Sequence, residues 1–336
     1  MARNRIKKPF YKQAFPMIVF ILLIIYVISF LLPFLWGIFA SMNSVQMFSE
    51  NIDIYNGNFT TAQLIRKMFA LPGKTIDGSS GFSGGSGMEP IMAGANAGKN
   101  YLWAIKYMTA PKHSAAVVNA KAFYPELMFN ALVYALGGTI ITTFSHAITA
   151  YIAARYSHHK VAAMLYPIVI VTMVLPIVGS LPSELAMMMK LGWFDQLYGL
   201  LLMKGGFLGT NFLIFYATFK GISWEYAEAA FVDGASHLRV LVQIMLPLAA
   251  TSLGALGLIS FITFWNDWKV NLVYIPTNWP MISYALYMLV GDGGKSGIND
   301  PRRIAAALIV ATPLIILFVA FRKKLMGNLT IGGIKG

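Results

Sequence analysis

The sequence predicts an all-α integral membrane fold that crosses a bilayer about six times. Composition is the first reason: of 336 residues, 57% are hydrophobic and 12% charged, with a mean hydropathy of +0.63. Soluble domains carry about twice that charged share. The second reason is where charge is missing. Lys, Arg, Asp and Glu are absent from 13–49, 127–154, 161–183, 205–219, 240–266 and 304–321. A spanning helix needs about 17–25 apolar residues. Five stretches meet that length, and 205–219 needs help from the residues just before it.

Taken in order, residues 1–12 form a basic N-terminal segment holding Arg3, Arg5, Lys7, Lys8 and Lys12. The apolar run behind it is far longer than the 7–15 residues of a signal-peptide core, and no small-x-small site follows near Phe39, Ala40 and Ser41. It reads as an uncleaved anchor, with the first transmembrane helix over 13–42. A long loop follows over 43–126. Its middle, 78–87, is Gly and Ser apart from Phe82, a flexible-linker composition. Tyr101, Trp103 and Tyr107 then predict that part of this loop packs. Five further helices occupy 127–322, and 323–336 is a tail.

Basic residues set the expected orientation. With the N-terminus inside, the inner segments hold Arg3, Arg5, Lys7, Lys8, Lys12, Arg155, Lys160, Lys220, Arg239, Arg322, Lys323, Lys324 and Lys335. Only Glu225, Glu228 and Asp233 oppose them. The rest of the 26 basic and 13 acidic residues fall outside, leaving 13 basic against 10 acidic there, and seven of those basic residues lie in the long loop that the positive-inside rule discounts. Both termini are therefore expected on the cytoplasmic side of the membrane. The net charge of +13 belongs to an anionic lipid leaflet and not to nucleic acid. Without cysteine there is no disulfide, thiolate metal site or cysteine nucleophile.

The most informative stretch is the inner loop over 221–247. Ser223 can cap a short helix whose N-terminal end favours Glu225. Asp233 and Gly234 supply a turn, a second helix follows, and Pro247 suits the entry to the next span. Ala227, Ala229 and Ala230 leave a slim surface, and Glu228 can pair with a basic group on a partner. Glu228, Ala229 and Ala230, then Asp233, Gly234 and Ala235, then Ile244, Leu246 and Pro247 after eight intervening residues, resemble the EAA loop of binding-protein-dependent ABC importer permeases.

Other segments extend that resemblance. Phe129 to Val133 and Ala150 to Arg155 are similar to the second span of carbohydrate-type permeases. Trp265, Asn266, Asp267 and Trp268 are similar to a segment of the same subfamily. Residues 329–336 resemble the tail of the maltose-type importer's shorter permease subunit. The likeness covers about 10–40 and 125–336. It implies a type I ABC importer permease in which 228–235 form a cytoplasmic coupling helix. It also implies that Thr330, Gly332, Gly333, Lys335 and Gly336 reach the ATPase. The implied partners are a second homologous permease, two cytoplasmic ATPase subunits, an extracytoplasmic solute-binding protein and a sugar substrate. ATP and Mg would be bound by the ATPase subunits, so this chain would need no cofactor and carry no catalytic residue.

Other constellations have blander readings beside them. Trp265, Asn266, Asp267, Trp268 and Lys269 offer the ring faces and hydrogen-bonding groups that bind sugars, or an aromatic belt with an Asp–Lys pair at the headgroups. His146, with Thr142, Thr143, Ser145 and Thr149, is a proton relay or a histidine bonded between helices. Glu184, after Pro182, marks the end of the third span. Gly294, Lys295 and Ser296 lack the glycine five residues earlier that a phosphate-binding loop requires. His158 and His159 read as a solvated, membrane-proximal pair. The 19 methionines, with Met187, Met188 and Met189 in one run, read as packing filler. The rival function is a secondary transporter driven by an ion gradient, which calls for ionisable residues deep in the spans; His146 alone answers that. A membrane-embedded enzyme needs a catalytic cluster that the sequence does not assemble.

Overall fold

A computed structural model describes residues 10–42, 93–112, 120–175, 179–291 and 300–326. These form helices apart from one ribbon, in which Ala110–Pro111 (β1) pairs antiparallel with Lys121–Ala122 (β2). Contacts divide the chain into two compact units, 1–105 with 293–309 and 106–292 with 310–336. In the first unit, α1 (Phe10–Met42) exposes large apolar residues such as Phe20, Leu22 and Phe30, as a lipid-facing helix does. Helix α2 (Ala93–Tyr107) is hitched to its end. Asn100 Nδ2 donates to the Ser41 carbonyl at 2.9 Å, and Ser41 Oγ and Tyr101 OH share a hydrogen bond of 2.8 Å. The Arg302 guanidinium lies 4.9 Å from the Trp103 ring centre. Part of the long loop therefore packs, as its aromatics predict; residues 78–87 lie outside the described residues.

The second unit is organised around α3 (Tyr124–Arg155), which packs mainly against α7 (Thr210–Gly221) and α11 (Ala250–Trp265). Ala147, Ala150 and Ala153 of α3 share one buried cluster with Phe212, Phe215 and Phe219 of α7. Small side chains let the helices approach, and the phenylalanines fill the space between them. Gly138 does the same for α11. A Cβ there would sit 3.0 Å from the Phe264 ring, which also meets Tyr134 edge-on at 5.5 Å.

Among the described residues, three helices are long and apolar enough to cross a bilayer: Pro16–Met42, Tyr124–Arg155 and Pro301–Phe321, the last within α14 (Asp300–Met326). The fifth predicted span is a pair, His237–Leu248 and Ala250–Trp265, bent by 76°. Its first limb runs through α9 (His237–Val240), a π-turn (Leu241–Met245) and α10 (Leu246–Leu248). Pro247 thus precedes the bend and does not open the span. The third predicted span also differs. Helix α4 (Lys160–Val174) stops early, Gly179 adopts φ +81°, and Pro182 and Glu184 open α5 (Leu181–Lys190), so Glu184 starts a helix where the end of a span was expected.

The fourth predicted span is broken in the same way. Helix α6 (Leu197–Met203) ends, residues 204–209 are irregular, Gly209 has φ +142°, and α7 begins at Thr210. The side chains of α3 answer the break: Thr142 Oγ1 donates to the Lys204 carbonyl at 2.9 Å, and Ser145 Oγ donates to the Gly205 carbonyl at 2.5 Å. Within a spanning segment, irregular backbone is tolerated where protein or a water-filled cavity satisfies it. The polar face of α3 is therefore structural, and His146 joins it, its Nδ1 donating to the Thr142 carbonyl at 2.7 Å.

Beyond α11, α12 (Trp268–Val273), a loop at 274–281 and α13 (Ile282–Gly291) complete the unit. Buried Asn271 ties the loop, donating to the Ile275 and Trp279 carbonyls and accepting from the Met281 N–H. Asp195 accepts from the Thr277 and Asn278 amides, each at 3.1 Å. Tyr274 OH donates to Glu184 at 2.6 Å. That bond and one from Ser180 hold the Glu184 carboxyl below its ordinary range, so its stabilising share is present at neutral pH and fades as pH falls through the folded value. Burial, then Glu184, pushes the Tyr274 phenol up to about 12.

Replacing Ser145 with Ala should remove one interhelical bond and cost about 1 kcal/mol, the scale of such bonds in membranes. The check is a lower melting temperature of the detergent-solubilised protein, larger still when Thr142→Val is added.

Candidate functional site

The loop over 221–247 folds as a compact helical hairpin. Helix α8 (Glu225–Val232) starts after Trp224, whose carbonyl accepts the Ala227 and Glu228 amides at 2.9 and 3.1 Å. Ser223 does not cap it in the expected manner. Its Oγ accepts the Glu225 amide at 3.4 Å, one residue outside the cap position, and Trp224 occupies that position without a side-chain bond. Glu225 and Glu228 lie in the first turn, where the helix dipole favours negative charge.

The turn after α8 is closed on both strands of hydrogen bonding. Gly234 has φ +81°, its N–H donates to the Phe231 carbonyl at 3.0 Å, and the Ala235 N–H donates to the Ala230 carbonyl at 2.9 Å. That pair of bonds is the Schellman arrangement, and it leaves Ala235 against Ala230 as the accompanying small apolar contact. Ser236 then caps α9, its Oγ accepting the Arg239 amide at 3.4 Å.

Burial sorts the residues that the sequence singled out. Glu228, Ala229, Asp233 and Gly234 are exposed, and Ala230 and Ala235 are half-buried. Ala227 is fully buried in the cluster shared with α3 and α7, so it is an anchor and not part of a free slim surface. The exposed large apolar residues of the hairpin are instead Tyr226, Val232 at 87%, Leu238 at 70% and Val242. Sequence reasoning missed these because one eight-residue helix offers too few turns for its inward face to be read. Thr330, Gly332, Gly333, Lys335 and Gly336 lie outside the described residues.

The second candidate group divides. Trp265 is buried and its Nε1 donates to the Val310 carbonyl at 3.1 Å, so it fastens α11 to the later part of α14. Asn266 is exposed and bonds back to the Ile262 carbonyl at 2.9 Å. Asp267 is half-buried and accepts from Tyr134 OH at 3.4 Å. Trp268 stacks on Tyr287 with centres 4.0 Å apart and planes 9° from parallel, and Lys269 lies over Trp268 at 5.7 Å. Tyr134 and Tyr287, which join Asp267 and Trp268 from other helices, carry no local sequence signal. Among the described residues there is no cluster of three or more His, Asp or Glu that could hold a metal.

Gly234 is the position where geometry constrains the hairpin most. A left-handed conformation costs a residue with a side chain about 1–2 kcal/mol. Gly234→Val should therefore loosen the turn and speed amide hydrogen exchange across 225–239, while exchange in α3 stays slow.

Comparison with known proteins agrees with this architecture. Residues 146–329 match the sequence model of the binding-protein-dependent transport system inner membrane component family. The maltodextrin transport system permease protein MdxG of Bacillus subtilis is 28% identical over 223 residues, covering 64% of this chain and 77% of that protein. The trehalose transport system permease protein SugB of Mycobacterium tuberculosis is 27% identical over 221 residues, covering 64% and 80%. A chain of a bacterial ABC transporter involved in the import of the acidic polysaccharide alginate shares the fold with a TM-score of 0.63 at 19% identity, over 94% of this chain and 98% of that one. With more than half of its length matched and a helical membrane fold in common, this chain belongs to the family of binding-protein-dependent transport system inner membrane components.

Proposed function

We propose that this chain is the translocating subunit of an ATP-driven importer of a sugar or oligosaccharide, coupled to its ATPase through residues 228–235. The observation that carries the reading is the hairpin itself. Its exposed edge offers Glu228, Ala229, Val232 and Asp233, while Ala227 and the closed turn hold the rest against the core. A cleft in a soluble partner can take up such an edge, with Val232 supplying apolar contact and Glu228 a charge for a basic partner group. Sugar specificity is supported by the relatives, which are permeases for maltodextrin and trehalose.

The working assembly pairs this chain with a homologous permease, two ATPase subunits and an extracytoplasmic binding protein. ATP hydrolysis belongs to the ATPase subunits. Both termini and the hairpin face the cytoplasm, supported by the placement of the basic residues. About six crossings require the bent pair and the broken helices to span as composite segments. ATP-driven closure of the ATPase dimer displaces the hairpin and biases two arrangements of the pore, as a ligand does when it binds one arrangement better. The 76° bend and the irregular backbone at 204–209 give places where that change is absorbed. Asp267 and the stacked Trp268–Tyr287 pair then offer an acceptor and ring faces to sugar hydroxyls along the pathway.

Two measurements test this. The sequence contains no cysteine, so Val232→Cys gives one reporter. It should react with a membrane-impermeant maleimide from the cytoplasmic side only, and should be shielded when ATPase subunits bind. In the reconstituted complex, Glu228→Lys should abolish stimulation of ATP hydrolysis by binding protein loaded with maltodextrin or trehalose, and deletion of 329–336 should weaken it. Full stimulation in both variants, with transport following an ion gradient, would reject the reading.

A further inference from the structure

The end of α3 grips the hairpin in two places, and no feature of the loop motif accounts for this. Arg155 is the last residue of α3, and its Nη2 donates to the carbonyls of Phe219 and Ile222 at the C-terminal end of α7, where the Phe219 carbonyl also accepts the Ile222 N–H at 3.3 Å. A cation there also offsets the negative end of the helix dipole. The same guanidinium lies 5.3 Å from the centre of the Trp224 ring. Trp224 in turn accepts the backbone N–H of Glu228, so only one residue separates the α3 terminus from the exposed carboxylate.

Tyr156 makes the second attachment, on the far limb. Its hydroxyl and His237 Nδ1 share a hydrogen bond of 2.8 Å, and its ring meets Trp224 edge-on at 6.4 Å. His237 lies 4.8 Å from Phe231, and Phe231 lies 6.0 Å from Trp224. Arg155, Trp224, Phe231, His237 and Tyr156 thus close a ring through both helices of the hairpin and the end of α3. A loop fastened at one point pivots when pushed. Fastened at both limbs, it carries its displacement into the helix to which it is bound.

We propose that Arg155 and Tyr156 are positioning residues for energy coupling, forming the joint through which the hairpin drives α3 and α7 as one body. This rests on the reading of 228–235 as the ATPase contact. Arg155 serves because one planar guanidinium bonds two carbonyls and lies against a ring in a fixed fork, a geometry that a flexible ammonium holds less well. The alanine face of α3 against Phe212, Phe215 and Phe219 then passes the motion inward.

The test uses the complete reconstituted transporter with spin labels at Leu238→Cys on the hairpin, outside 228–235, and Ile148→Cys on the exposed side of α3. With Arg155 and Tyr156 in place, the label separation should stay narrow and unchanged when ATP and vanadate trap the ATPase. Arg155→Lys and Trp224→Leu should each make it broaden and shift on trapping. Tyr156→Phe, which keeps the ring and removes only the bond to His237, should give a smaller shift in a complex that assembles normally. A narrow, unchanged separation in all three variants overturns the joint, provided Glu228→Lys still uncouples ATP hydrolysis in the same preparation. If Glu228→Lys leaves hydrolysis coupled, the ATPase-contact reading fails and the joint falls with it.

Discussion

Close packing of the small-residue face of α3 against aromatic neighbours is the interaction on which the second unit depends. In a bilayer, lipid tails are as apolar as a protein core, so hydrophobic burial does little to bring helices together. Shape and hydrogen bonding must do it. Ala147, Ala150 and Ala153 make room for Phe212, Phe215 and Phe219, and Gly138 makes room for Phe264. With a large side chain at any of these positions, α7 or α11 would stand off, and the bonds from Thr142 and Ser145 would be out of reach.

Those bonds explain how the unit tolerates broken helices. A free carbonyl in hydrocarbon costs several kcal/mol, while each interhelical bond returns about 0.6 kcal/mol on average. The hydroxyls of α3 give the Lys204 and Gly205 carbonyls partners that their own irregular segment does not supply. Discontinuity in turn gives the unit places where a change of backbone direction can be absorbed. The polar face of α3 thus permits the irregular backbone that the proposed pore movement uses.

At the other end of α3, the same economy of partners is applied to the hairpin. Arg155 satisfies the end of α7 and braces Trp224 with one group, and Gly234 closes α8 with two backbone bonds. The hairpin is consequently rigid without being deeply buried. That combination suits the coupling role proposed for Glu228 and Val232.

Membrane class, the approximate positions of the apolar segments and the hairpin motif were determined by the sequence alone. Each rests on local quantities: charge-free length, basic asymmetry and residues at fixed spacing. The Gly234 turn was legible because only glycine takes that conformation at little cost. Tertiary structure decided where the apolar segments break: 161–183 and 240–266 carry no charge at their interruptions, Lys204 marks only one edge of the break at 204–209, and the partners of that break lie on α3. It also decided that Ala227 turns inward, that Trp265 is a fastener, and that Tyr134 and Tyr287 join Asp267 and Trp268. Arg155 shows the difference most clearly: in sequence it is one more inner-leaflet charge, and only the fold brings it to Phe219, Ile222 and Trp224, more than sixty residues away.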